Sequence, residues 1–293
     1  MVEKFHILDW SVELNPDDGG RISKLSYKGN HLLCGAPEVF RPPMKDYGLY
    51  ETRPVYGYDD CFPSVDRCKF PCDPEFEVPD HGELCWQKWA VEKKGNVIEF
   101  KTASRKLPLK FTRRLEFSDN TLTWTFEVSS HGPTAMPFLH VMHPLMPLAS
   151  VDGFIIPKFA SVFDEVNQRE ISMLDGRAVE KYLLNQRRGE FSMLLLRGIK
   201  DGRMTVNFKF PLRLEIIFPD KLFPSIGIWW NNSGYPDEVG LRRCECAFEP
   251  IPGNSSSLES CFRDGKYLSV QPGCVFFWNV KWVIDAIFDF HRN

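Results

Sequence analysis

Apolar and polar residues alternate along most of this chain. The clearest case is residues 121–129, where Leu122, Trp124, Phe126 and Val128 are separated by Thr123, Thr125 and Glu127. A period of two puts the apolar set on one face of an extended segment, so this stretch reads as a half-buried strand. Residues 111–117 and the Ser118-Asp119-Asn120 turn complete the best-defined hairpin. Nearer the N-terminus, residues 5–13 read as a strand, 15–20 as a turn cluster, 22–27 as a strand, 28–30 as a turn and 31–34 as a further short strand. That is an antiparallel meander. Further strands are expected at 97–102, 154–158, 191–197, 204–210, 212–218, 225–230, 242–248, 267–270 and 274–284, with almost no helix.

So many strands, punctuated by 20 Gly and 22 Pro and without βαβ alternation, predict an all-β protein: a large antiparallel β-sandwich. No linker, charge run or internal repeat interrupts the series, so one domain over residues 1–293 is expected. Residues 35–80 break the pattern. They are rich in Pro, Gly, Tyr and Asp, and are too long for an idle connection, which points to a functional loop.

Composition narrows the function classes. A chain of 293 residues with 43% hydrophobic content can bury a sizeable core. A net charge of −3 with interspersed signs offers no footprint for nucleic acid or an anionic membrane, so the expected partner is a small neutral molecule. The N-terminus has no apolar signal region, and the most apolar stretch, 275–287, is broken by Asn279, Lys281 and Asp285; a soluble, cytoplasmic protein is expected. Nine cysteines fit reduced thiols better than a disulfide framework. Cys61, Cys68, Cys72 and Cys85 lack paired Cys-x-x-Cys knuckles, so they read as buried thiols and no metal site is expected.

Chemistry concentrates in residues 79–89, Pro-Asp-His-Gly-Glu-Leu-Cys-Trp-Gln-Lys-Trp. His81 can bond a sugar hydroxyl or ring oxygen, Asp80 and Glu83 can accept from hydroxyls, and Trp86 or Trp89 can stack on a pyranose. Gly82 would let the backbone come close. The plain alternative is a loop histidine with two core tryptophans. Asp59 and Asp60, in the irregular loop, are either solvated acids or ligand acceptors. Strand alternation separates His140 and His143 onto opposite faces, and a histidine in such apolar surroundings is usually a satisfied core residue. Glu245 and Glu249, four apart, share a strand face, and Glu249 precedes Pro250, where the strand ends, a suitable place for a base. Trp229 and Trp230 offer a stacking platform or plain core packing.

In order along the chain, several of these motifs resemble the aldose 1-epimerase family, the galactose-mutarotase-like proteins. Residues 57–63, Gly-Tyr-Asp-Asp-Cys-Phe-Pro, are similar to the family's Gly-x-Asp-Glu-x-Phe-Pro segment, and Asp80-His81-Gly82 to its Asp-His-Gly segment. Met142-His143-Pro144 resembles the motif of its catalytic histidine, and residues 246–250 the strand end of its catalytic glutamate. Gln271-Pro272-Gly273 and the Trp278 strand are similar to its closing segment. The resemblance implies a supersandwich and mutarotation of an aldose without a cofactor. It implies His143 as general acid to the ring oxygen, Glu249 as general base to the anomeric hydroxyl, and His81 as a second imidazole near the ring oxygen. Asp60, Glu83 and Trp229 are expected to join them in the sugar site. Two departures leave the sugar open: residues 83–89 contain no Arg for a phosphate, Lys88 being their only basic residue, and the Leu-His-Gly-Gly form of galactose mutarotases is absent. A non-catalytic carbohydrate-binding protein, or a glycosidase pairing Glu83 with Glu249, are the alternatives.

Overall fold

The computed structural model describes residues 2–37, 50–53, 55–238 and 240–286. Residues 38–49 of the loop expected to be functional, and Ile287, lie outside them. Three large antiparallel sheets carry the chain. The first runs in the order Glu3–Ile7, Trp10–Asn15, Arg21–Tyr27, Tyr58–Cys61, Val141–Pro144, with Asn30–His31 paired to Arg21–Tyr27. The second has eight strands, Val151–Ile155, Arg203–Phe208, Leu212–Ile217, Val275–Ala286, Thr121–Ser130, Leu109–Phe117, Val97–Ala103 and Ala90–Lys94. The third comprises Met146–Pro147, Cys244–Ile251, Ser225–Asn232, Glu190–Arg197, Ser161–Asp164 and Arg169–Ile171. This is the expected β-sandwich class.

The alternation read from residues 121–129 is the physical basis of the second sheet. Leu122, Trp124, Phe126 and Val128 are all fully buried, and Trp124 and Phe126 face Val280 and Trp278 across the ladder. Trp10 from the first sheet, Trp124, Trp278 and Trp282 from the second and Trp230 from the third belong to one apolar core. Each such ring contributes about 1.5–3 kcal/mol or more by leaving water.

Several local readings change. The stretch read as an irregular loop carries the strands Tyr58–Cys61, Cys68–Phe70 and Asp73–Val78, and the Glu249 strand runs through Pro250 to Ile251. Residues 5–13 are not one strand: the chain reverses at Leu8-Asp9, with Leu8 at φ +54° and Ile7 opposite Trp10. The adjacent apolar pair Ile7-Leu8 breaks the period of two, and Leu8 is left exposed at the turn. Helices also occur where none was expected, at Gly176–Leu184 and Leu258–Arg263. Asp175 caps the first by accepting from the Ala178 N–H, and Val179 and Leu183, one turn apart, are its buried face. Among the described residues no helix is long and apolar enough to cross a membrane.

The feature that creates the site is a crossing between sheets. Val141–Pro144 ends the first sheet beside Tyr58–Cys61, with His143 opposite Asp59. Only Leu145 intervenes before Met146–Pro147 joins the third sheet, where Met146 faces Cys246. The Leu145 N–H donates to the Gly57 carbonyl and its own carbonyl accepts from the Cys34 N–H, so both backbone groups are held at the crossing. Strand Val141–Pro144 thus lies against Cys244–Ile251, the strand that carries Glu249.

Candidate active site

A cleft of about 220 Å³ opens at this junction, lined by His81, His143, Trp229, Glu245 and Glu249 among others. That size suits a small ligand. Its chemistry starts from the pleat of Tyr58–Cys61, which sends successive side chains to opposite sides. Asp59 points toward the cleft and Asp60 into the core.

Asp59 is the hub of the cleft side. It accepts from the Tyr50 hydroxyl at 3.0 Å and from His143 Nδ1 at 3.2 Å. Arg21 and Arg53 approach its other oxygen at 3.2 and 3.5 Å. Burial alone would favour a neutral acid, but Arg21, His143 and Arg53 outweigh it and hold the carboxyl far below its usual range. A charged Asp59 fixes the His143 tautomer: Nδ1 carries the bonded proton and Nε2 is presented to the cleft. Burial disfavours the His143 imidazolium, yet the Asp59 bond and the Glu249 charge more than compensate, so its pKa is raised.

His143 Nε2 lies 3.8 Å from Glu249 Oε1. Glu249 is 3% exposed and, among the described residues, accepts no hydrogen bond. Burial pushes its carboxyl up to about 7, against the pull of His143 and His81. Opposite it in the ladder stands Gly227, where a Cβ would come within 3.2 Å of Glu249 Oε2; the missing side chain leaves the carboxylate its room.

His81 completes the polar group. Its Nδ1 donates to Asp80 Oδ1 at 2.9 Å, and its ring stacks on Tyr50 at 3.8 Å and meets His143 edge-on at 5.1 Å. Asp80 in turn accepts from the Tyr50 N–H at 3.0 Å. The neighbouring Gly82, at φ +73°, approaches protein backbone and no ligand: any Cβ there would collide with the Phe62 carbonyl.

An aromatic wall faces these groups. Trp229 is half-buried, with Phe191 and Tyr235 each 5.7 Å away, and its Nε1 donates to Glu245 at 3.2 Å. Arg243 donates to Glu245 at 2.8 Å and bidentately to Glu51 at 2.8 and 3.0 Å. Trp230 points the other way, into the core beside Phe154.

Asp60 and Glu83 do not reach the cleft. Asp60 is fully buried and accepts from the Tyr58 hydroxyl at 2.5 Å, His140 Nε2 at 2.9 Å and Arg113, whose guanidinium lies 4.0 Å from the Phe100 ring. It serves as the counter-ion of a core arginine, because the pleat that gives Asp59 to the cleft takes Asp60 away. Glu83 is also fully buried and accepts from Ser104 Oγ, which itself accepts from the Lys106 and Leu107 N–H groups. It ties its loop to the turn before Leu109–Phe117, so a glycosidase pair of Glu83 with Glu249 is not assembled. Trp86 and Trp89 are buried as well: Arg53 packs over the first, and the second donates to the Leu84 carbonyl.

Tyr50, Arg243 and Glu51 were not singled out from sequence. Tyr50 orients both imidazoles through its ring, hydroxyl and N–H, but a tyrosine in an aperiodic loop carries no pattern that marks it. Arg243 and Glu51 are far apart in the chain, and only the fold pairs them.

No protein-family model matches the chain, and no curated protein matches it. Solved structures do. One protein of Synechocystis sp. superposes with a TM-score of 0.75 at 15% identity, over 98% of this chain and 96% of that one. A structure described as a putative aldose 1-epimerase from Escherichia coli gives 0.73 at 14% identity, over 98% and 99%. A galactose mutarotase related enzyme from Lactobacillus acidophilus gives 0.71 at 15% identity, over 99% of each chain. The chain has the galactose-mutarotase-like fold. On this fold the cleft sits where the two six-stranded sheets meet.

Proposed function

We propose that this protein is an aldose 1-epimerase-like isomerase that interconverts the anomers of a sugar. The observation that carries the proposal is the pairing of His143 Nε2 with Glu249 Oε1 at 3.8 Å inside one cleft, with both pKa values raised. Opening a cyclic hemiacetal requires one proton to leave the anomeric hydroxyl and another to reach the ring oxygen. Both oxygens are bonded to the same carbon, so the acid and base must be close neighbours, as these two are.

In this reading Glu249 takes the proton of the anomeric hydroxyl. The electrons of that O–H bond form the carbonyl as the bond from the anomeric carbon to the ring oxygen breaks, and His143 Nε2–H delivers a proton to the ring oxygen. Rotation about the adjoining carbon–carbon bond and reclosure with the roles reversed give the other anomer. Only protons move, so the reaction as drawn calls on no cofactor. Asp59 keeps the Nδ1 proton bonded and favours the His143 imidazolium, whose Nε2–H is the donor, His81 stands ready to bond the ring oxygen, and Trp229 supplies a face for the pyranose. A protein that only bound sugar would gain nothing from a buried carboxyl tuned to about 7 beside a raised histidine, which favours catalysis over binding alone.

The test is anomeric exchange by NMR across common aldoses and their 6-phosphates, with Glu249→Gln alongside the wild type. Accelerated exchange lost in the variant supports the isomerase. Sugar binding with no acceleration for any aldose would make the protein a carbohydrate-binding module.

A further inference from the structure

Strand Tyr58–Cys61 sends Cys61 to the same side as Asp59. The thiol therefore lies beneath the cleft floor, and Cys61 Sγ, a ring nitrogen of His81 and a ring nitrogen of His143 all lie within 4.8 Å of one another. Both imidazoles have Nδ1 engaged by a carboxylate, His81 with Asp80 at 2.9 Å and His143 with Asp59 at 3.2 Å. That leaves Nε2 of each as the free donor. A histidine whose other nitrogen is anchored to a carboxylate is the arrangement that orients imidazoles toward metal ions. Glu249 Oε1 lies 3.8 Å from His143 Nε2 but outside this cluster, which leaves the fourth position to water.

We propose that Cys61, His81 and His143, with water as fourth ligand, take up a borderline-soft divalent ion, Zn²⁺ foremost, and that the ion and a sugar exclude each other. One thiolate, two imidazoles and a water are a tetrahedral zinc donor set, and too poor in oxygen for calcium or magnesium. With bonds of about 2.0–2.3 Å, tetrahedral ligand atoms stand roughly 3.3–3.8 Å apart, so the three must draw in by about 1 Å. His81, at the rim with its side chain 22% exposed, is the ligand with most room to shift, turning about its Asp80 bond. Formation of the metal–sulfur bond releases the thiol proton to solvent. The carboxylates of Asp59, Asp80 and Glu249 offset the added positive charge. Nε2 of His143 cannot hold both a metal and the proton destined for a ring oxygen, so the loaded cleft is inactive and free zinc becomes an inhibitor.

The probe is Co²⁺ added to the purified full chain, followed by absorption, which needs no turnover and stands apart from the isomerase test. The expected result is one ion per chain, a near-ultraviolet thiolate-to-metal charge-transfer band, an intense visible band of tetrahedral cobalt, and displacement of both by Zn²⁺. Cys61→Ser should abolish the charge-transfer band while circular dichroism stays that of the wild type. His81→Gln should weaken Co²⁺ binding by at least about tenfold, and it decides the matter if Cys61→Ser fails to fold. A charge-transfer band that survives Cys61→Ser would place the metal on the exposed thiols Cys72, Cys244 or Cys274 and overturn the proposal. Absence of the band from the wild type, or unchanged affinity in His81→Gln, would do the same.

Discussion

His143 and Glu249 face each other at 3.8 Å although they belong to different sheets. Replacing the carboxylate by the isosteric amide, Glu249→Gln, removes the group that accepts the hydroxyl proton but keeps the shape of the cleft. Turnover is expected to fall by roughly 10²–10⁴-fold with little change in sugar affinity. NMR exchange rates and a binding titration on the same variant check both halves.

The same substitution should stabilise the fold. Glu249 has its pKa raised from 4.5 to about 7, so its contribution is fully present below pH 4.5 and is lost as pH rises through 7. Glu249→Gln does not suffer that loss. Above neutral pH it should gain on the order of 1–3 kcal/mol over the wild type, fading to nothing toward pH 4.5. Denaturant titrations at pH 4.5 and pH 8 measure the difference.

The productive form needs Glu249 ionised and His143 protonated. Rate should fall on the acid side near pH 7 as Glu249 gains its proton, and on the alkaline side, above the ordinary histidine value, as His143 loses its own. At this separation the two limbs belong to the pair. Asp59→Asn removes the charge that lifts His143, and should move the alkaline limb to lower pH while the acid limb persists. An unmoved alkaline limb would show that Asp59 does not set the histidine.

His140 provides the contrast. It bonds the buried Asp60, and burial lowers its pKa. His140→Asn should leave both limbs of the pH profile in place and cost about 1–3 kcal/mol of stability, because Asp60 loses a donor inside the core. A shifted pH profile would assign it to the chemistry instead.

Trp229→Ala should weaken sugar binding by about 1–3 kcal/mol with the fold intact, since Arg243 continues to hold Glu245 after the indole is lost. Binding isotherms beside circular dichroism separate a lost platform from a lost core residue.

The strands were legible because burial on one face imposes a period of two, as at residues 122–128. The helix Gly176–Leu184 was readable too, in the Asp175 cap and the Val179 to Leu183 spacing, but it is a single short stripe among strands. Motif order marked His81, His143 and Glu249, with Asp60, as candidates for one cleft, whereas Trp229 read equally as a platform or as core. Asp60 could not be told from Asp59 by sequence, because alternation says that the two face opposite ways without saying which side is wet. Glu83 failed for another reason: a carboxylate in a polar loop looks like a ligand whether it meets solvent or, as here, a serine hydroxyl. Tyr50, which organises both histidines, belongs to a segment with no period.

The crossing at Leu145 makes the distance between acid and base a property of how two sheets sit against each other. A slip between them too small to melt either sheet would part the proton donor from the proton acceptor. On gentle heating or in mild denaturant, activity should therefore vanish while strand content persists, and a bulkier side chain at residue 145 should reproduce that dissociation at room temperature.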